Sequence, residues 1–198
     1  MKELLACIGL AKVRVDAGFS SVGRRLSSTD PADRVLMTLA ARAISSGNAL
    51  MVLCREGHAN EALPLLRAAA ECALSMRWVS ADAAGRAEAA WTGLETARWE
   101  TLWPETRAQE RAQSFGVPAW AADAALGSAQ DFARGNAAGL PWGHVFSGSQ
   151  LSGRKPEEVL AAMAVWLSLV LEALDRRWPG EFPGAAEMRD GARISRGQ

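Results

Sequence analysis

The chain of 198 residues holds 39 alanines but only three isoleucines (Ile8, Ile44, Ile194) and no tyrosine, which leaves little to build strands from. Alanine pays the least to enter a helix, whereas strands are populated by β-branched and aromatic side chains. The imbalance therefore predicts an all-α protein. With 49 % hydrophobic residues the chain is too apolar for disorder and long enough to bury a sizeable core. Its 22 basic residues balance 22 acidic ones, so net charge gives no reason to expect a nucleic acid or an anionic membrane as partner.

Periodicity and capping signals divide the sequence into helices. Leu4, Leu5, Ile8 and Val15 recur at three- and four-residue spacing and predict a first helix over 2–17, followed by a Gly/Ser-rich loop. Asp30-Pro31 combines an N-cap acceptor with a proline whose missing N–H costs nothing at the first helical position. A second helix then runs over 31–56 and stops at Gly57. Small residues in its interior, Ser45, Ser46 and Gly47, leave room for another helix to approach. Further helices are predicted over 60–80, 82–103, 105–113, 118–134 and 156–178, the last one nearly all apolar. Connections under ten residues fold these six to seven helices into one antiparallel bundle over 1–180, with 181–198 a frayed polar tail.

Cysteine and histidine usage narrows the chemistry. Cys7, Cys54 and Cys72 are odd in number and lack CxxC spacing, so they predict reduced thiols rather than a disulfide framework or a zinc knuckle. Cys54 and His58 stand four apart, yet Gly57 breaks the helix that would align them as ligands. Two histidines cannot supply a multi-histidine metal centre, and no metal or other cofactor is expected. The apolar run over 159–174 falls short of the roughly 20 residues needed to span a bilayer. A soluble, cytoplasmic protein without a membrane partner is expected.

The third helix carries the most informative polar pattern. Arg67, Glu71 and Ser75 form a narrow stripe at i, i+4 and i+8 on an otherwise apolar cylinder, with Trp78 beside it. Two readings are open. The stripe faces solvent, where such a pair contributes a few tenths of a kcal/mol, or it is a buried ion pair lining a cavity and kept for function. The Gly-rich segment over 135–153 holds a second candidate, His144, between Trp142 and Phe146. That histidine reads either as a general acid/base or as a satisfied structural residue. In the fourth helix Trp91, Trp99 and Trp103 share one face and read as packing or subunit interface. Only Arg98 accompanies them, too little for a base-stacking surface.

No phosphate-binding loop, dinucleotide fingerprint, metalloprotease motif or nucleophile elbow is present in the sequence. The spacing Gly57-x4-Ala62-x4-Arg67-x3-Glu71, followed by His144, resembles a widespread uncharacterised all-helical bacterial family over about residues 35 to 175. The resemblance implies a bundle in which Arg67, Glu71 and His144 converge, and implies no particular activity. A more distant likeness is to the HEPN helical ribonucleases. Those carry Arg, four to six residues, then His, whereas nine residues separate Arg134 from His144 here.

Two functions follow as expectations. One is a non-enzymatic bundle that self-associates or binds a protein partner. The other is an anion-binding or hydrolytic site made by Arg67, Glu71 and His144, with Ser75, Trp78 and Trp142 contributing to binding.

Overall fold

The computed structural model describes residues 1–96, 108–128 and 155–194. The protein is an all-α helical bundle, and every regular element among the described residues is helical. Helix α1 spans Lys2–Val22 and passes into a 3-10 turn, Gly23–Arg25. Helix α2 spans Pro31–Arg55, α3 Leu63–Ala81 and α4 Ala83–Thr96. Two short helices follow, α5 (Ala108–Ser114) and α6 (Ala119–Ala122), the latter continuing as a π-helical turn over Asp123–Ser128. Helices α7 (Pro156–Arg177) and α8 (Ala185–Ile194) complete the set.

The predicted cap at Asp30 is present. Its carboxylate accepts from the N–H of Ala32 at 2.8 Å and of Asp33 at 3.4 Å, with Pro31 at the first helical position. Asp33 is itself buried, and its carboxylate meets Arg177 Nε at 2.9 Å and the N–H of Ser27 at 3.0 Å. Arg177 also reaches Asp30 at 2.7 Å, so the start of α2 is tied to the end of α7 by one guanidinium and two carboxylates. By length and composition α2 is apolar enough to cross a membrane, but half of that window is buried inside the bundle, against neighbours that include α3 and α7.

The centre of the bundle is α7, with α3 packed along it. Every residue from Val159 to Leu171 is buried, and the helix packs on α1, α2, α3, α6 and α8. A helix apolar all round must be covered all round. Trp166 lies fully inside it and donates its indole N–H to Ala121 O at 3.2 Å, joining α6 to the core. The small residues of α2 act as predicted: a Cβ on Gly47 would lie 3.2 Å from Leu167 Cδ1, so the two helices cross at close range there.

Two expectations are corrected. Gly18 does not end α1; the helix runs five residues beyond 17. Its missing side chain is needed for packing, because a Cβ there would come within 2.4 Å of Phe182 and 2.8 Å of Glu181 O. The segment after 181 is also not frayed in its described part. Phe182 inserts among Phe19 and Trp178 with ring centroids 5.2 and 5.7 Å away, and α8 buries Met188 and Ala192, one helical turn apart, against α1 and α7. A polar composition concealed this amphipathic helix. Elsewhere α3 starts at Leu63 rather than 60, and α4 is described only to Thr96.

Candidate functional site

Arg67 and Glu71 pair as their spacing predicts, Arg67 Nε donating to Glu71 Oε1 at 2.8 Å. The pair lies at the surface, with side-chain exposures of 32 % and 48 %, so of the two readings the solvent-facing one describes it. Ser75 does not continue the stripe outward. It is fully buried and donates its hydroxyl back to Glu71 O at 2.7 Å, the local bond by which serine satisfies itself in a helix. Trp78 is half-buried, with the Arg86 guanidinium 5.1 Å from its ring centroid and Arg86 Nη1 donating to its carbonyl at 2.9 Å. Trp142 and His144 lie outside the described residues, as do Arg98, Trp99, Trp103 and Arg134. Trp91 is half-buried beneath Arg34, whose guanidinium lies 3.6 Å from the ring centroid.

No group of three potential metal ligands occurs among the described residues. Burial, aided by Glu157, pushes the Cys54 thiol up to about 11. Burial also pushes Cys72 up to about 12. Neither is poised as a thiolate ligand or nucleophile. His58 is exposed and stands 3.9 Å from the Glu61 carboxylate, a surface contact.

A different residue of α3 is placed more unusually. Arg77 follows Leu66, Ala70 and Ala73 at four- and three-residue steps, which puts it on their buried face and not on that of Arg67. It is only 7 % exposed, and neither Nε nor Nη1 has a hydrogen-bond partner among the described residues. Leaving such donors unmet costs about 1–3 kcal/mol each, more for a charged group. The ring of Phe115 lies 5.3 Å from the guanidinium carbon, a cation–π contact that offers no hydrogen-bond acceptor in the guanidinium plane. Burial, followed by the nearby Arg176, pulls Arg77 below the usual arginine range, with Glu172 opposing and Arg189 adding to the fall.

Arg77 lines a groove of about 290 Å³ between α7 and the segment leading into α8. On the α7 side stand Glu172, Asp175 and Arg176; on the other, Phe182 and Pro183. Glu172 is held by Arg189 of α8 at 2.6 Å, and Arg189 Nε donates to Ser168 Oγ at 3.1 Å. Asp175 Oδ1 accepts from the N–H of Gly180 at 2.9 Å and of Phe182 at 3.4 Å, which fixes the turn between the two helices. A larger groove, about 430 Å³, lies between the start of α2 and α4, but its Asp30 is already engaged by Arg177.

Residues 33–113 match the model of a family of unknown function (DUF5677). The matched segment begins inside α2, takes in α3 and α4 and ends inside α5. It contains Arg67, Glu71 and Arg77 and stops short of His144, α7 and α8. The expected resemblance to an uncharacterised helical family is thus present, over a shorter stretch than the sequence suggested. No curated protein and no solved structure matches the chain.

The sequence did carry a signal for Arg77: a charged residue on the apolar heptad face of a helix. Recognising it requires knowing which face α7 covers.

Proposed function

We propose that the protein is a non-enzymatic association module that joins a second copy of itself through the outer face of α1, and that it works in the cytoplasm. The observation that carries this is an uncovered apolar stripe. Leu10 and Val13 are 42 % and 60 % exposed, and Ala6 and Ala17 extend the line at helical spacing. The opposite face of α1, through Leu4, Ile8, Ala11 and Val15, is already buried in the bundle. Small residues beside the two large ones let a second helix approach, and the Lys12–Asp16 pair offers both signs of charge to an antiparallel copy. The free, undisulfided cysteines support a reducing compartment.

The features that first suggested association do not carry it. The apolar face of the last long helix is the core of the bundle, and Trp91 is covered by Arg34. The test is mass in solution by sedimentation at micromolar concentration. The wild type is expected to sediment as a dimer and Val13→Glu as a monomer with unchanged helicity. A wild type that stays monomeric to high concentration defeats the proposal.

The alternative, a hydrolytic site of Arg67, Glu71 and His144, draws on the solvent-open position of the Arg67–Glu71 pair. It requires RNA cleavage by the wild type that His144→Ala and Glu71→Gln each abolish.

A further inference from the structure

We propose that the second copy lies antiparallel on α1, about a two-fold axis passing between Ala11 and Lys12, with Val13 of each copy seated in a notch formed by Gly9 and Leu10 of the other. This geometry rests on the association through α1 proposed above.

Gly9 is a residue that the isolated bundle does not explain. It lies inside α1 without a positive φ, where glycine weakens a helix relative to alanine. At Gly18 and Gly47 a Cβ would press on Phe182 and Leu167, so packing within the bundle demands their small size. At Gly9 a Cβ would meet nothing within 4 Å. The missing side chain instead leaves a dent in α1, beside Leu10 and one turn before Val13, both exposed. A side chain projecting from a second helix fits such a dent as a ridge fits a groove.

The order of residues on the outer face sets the direction of the partner. Ala6, Leu10, Val13 and Ala17 read small, large, large, small at steps of four, three and four, the same from either end. A two-fold contact presents one surface to itself, so that residue i meets j and j meets i. An antiparallel pair centred between residues 11 and 12 meets this condition. Ala6 then faces Ala17 of the other copy, and Leu10 faces Val13, each twice. Charge favours the same direction. The antiparallel order brings Lys2 and Glu3 level with the uncharged Ser20 and Ser21, whereas a parallel two-fold pair sets Lys2 against Lys2 and Glu3 against Glu3. Both copies use the same stripe, so assembly closes at two.

The test combines sedimentation of the full-length protein with disulfide trapping in a Cys7→Ala background, which leaves only the buried Cys54 and Cys72. A chain carrying Ala6→Cys, mixed with one carrying Ala17→Cys, is expected to form a covalent heterodimer on mild oxidation. Neither chain alone is expected to link, because like positions in the antiparallel pair stand about 16 Å apart along the helix axis. Gly9→Leu adds a side chain that meets nothing in the bundle. It is expected to keep the helicity of the wild type, to unfold no earlier on heating, and to weaken dimerisation about tenfold or more. Self-linking of either single chain, absence of the mixed heterodimer when the wild type sediments as a dimer, or undiminished dimerisation of Gly9→Leu overturns this geometry while the dimer itself remains. A wild type that stays monomeric removes both.

Discussion

The two arginines of α3 sit ten positions apart on one helix and have opposite fates. Arg67 is about a third exposed and has a carboxylate at 2.8 Å; Arg77 is buried and lacks partners for two of its nitrogens among the described residues. The pair that looks organised is the one that matters least, because water competes for both charges. The isolated charge is the one with a free-energy cost to explain. A third arginine calibrates the two: Arg177, joined to the buried Asp33 and to Asp30, shows what this bundle does with a partly buried guanidinium when stability alone is at stake.

That contrast can be broken by measurement, beginning with the largest effect. Asp33→Ala removes the buried one of Arg177's two carboxylate partners and the acceptor of the Ser27 N–H together, and is expected to destabilise the fold by about 3 kcal/mol in urea unfolding. If the loss is a few tenths, buried pairing is not what separates Arg177 from Arg67. Gly18→Ala places a methyl group against Phe182 and Glu181 O and is expected to cost about 2 kcal/mol. It should also speed amide exchange in α8 selectively; a uniform change across the bundle argues that Gly18 does not hold that segment in place.

Smaller effects separate the two arginines directly. Arg77→Met is expected to raise stability by about 1 kcal/mol, since unmet donors disappear and only the Phe115 contact is lost. A clear destabilisation would mean Arg77 already has its partner. Arg67→Ala should change stability by no more than about 0.5 kcal/mol, and less in high salt.

The buried thiols add a test by titration. Cys54 and Cys72 hold their protons in the fold to about 11 and about 12, above their ordinary value of 9.0. The unfolded chain therefore releases those protons first, so their contribution is complete below pH 9 and is lost as pH rises toward 12. Alkaline unfolding that moves upward in pH in a Cys72→Ala variant checks the assignment. No shift in midpoint would assign the alkaline limb to other groups.

What could be read from the sequence follows from where the deciding physics lies. The bounds of α2 and α7 were legible because Asp30-Pro31 and Pro156 act within one turn of themselves. The Arg67–Glu71 pair was legible for the same reason. Gly18 was misread because its role is not the backbone freedom of glycine but space for a ring 164 positions away, at Phe182. Arg77 is not legible in the sequence because a helix shows its period, not its covering, and only its packing against α7 makes that face an interior. The helix α8 itself has few apolar side chains, and its anchor, Phe182, precedes it in the chain.

The seam between α1 and α8 has a kinetic meaning as well. Cys7 Sγ lies 4.0 Å from Met188 O across 181 residues of chain, and Arg14 of α1 pairs with Glu187. Contacts so distant in sequence must overcome a large loop-closure entropy before they form, which slows the docking of the two elements. Helix α8, ten residues long and fastened partly by ion pairs at its surface, is therefore expected to exchange its amides ahead of α7, which is covered by α2 and α3.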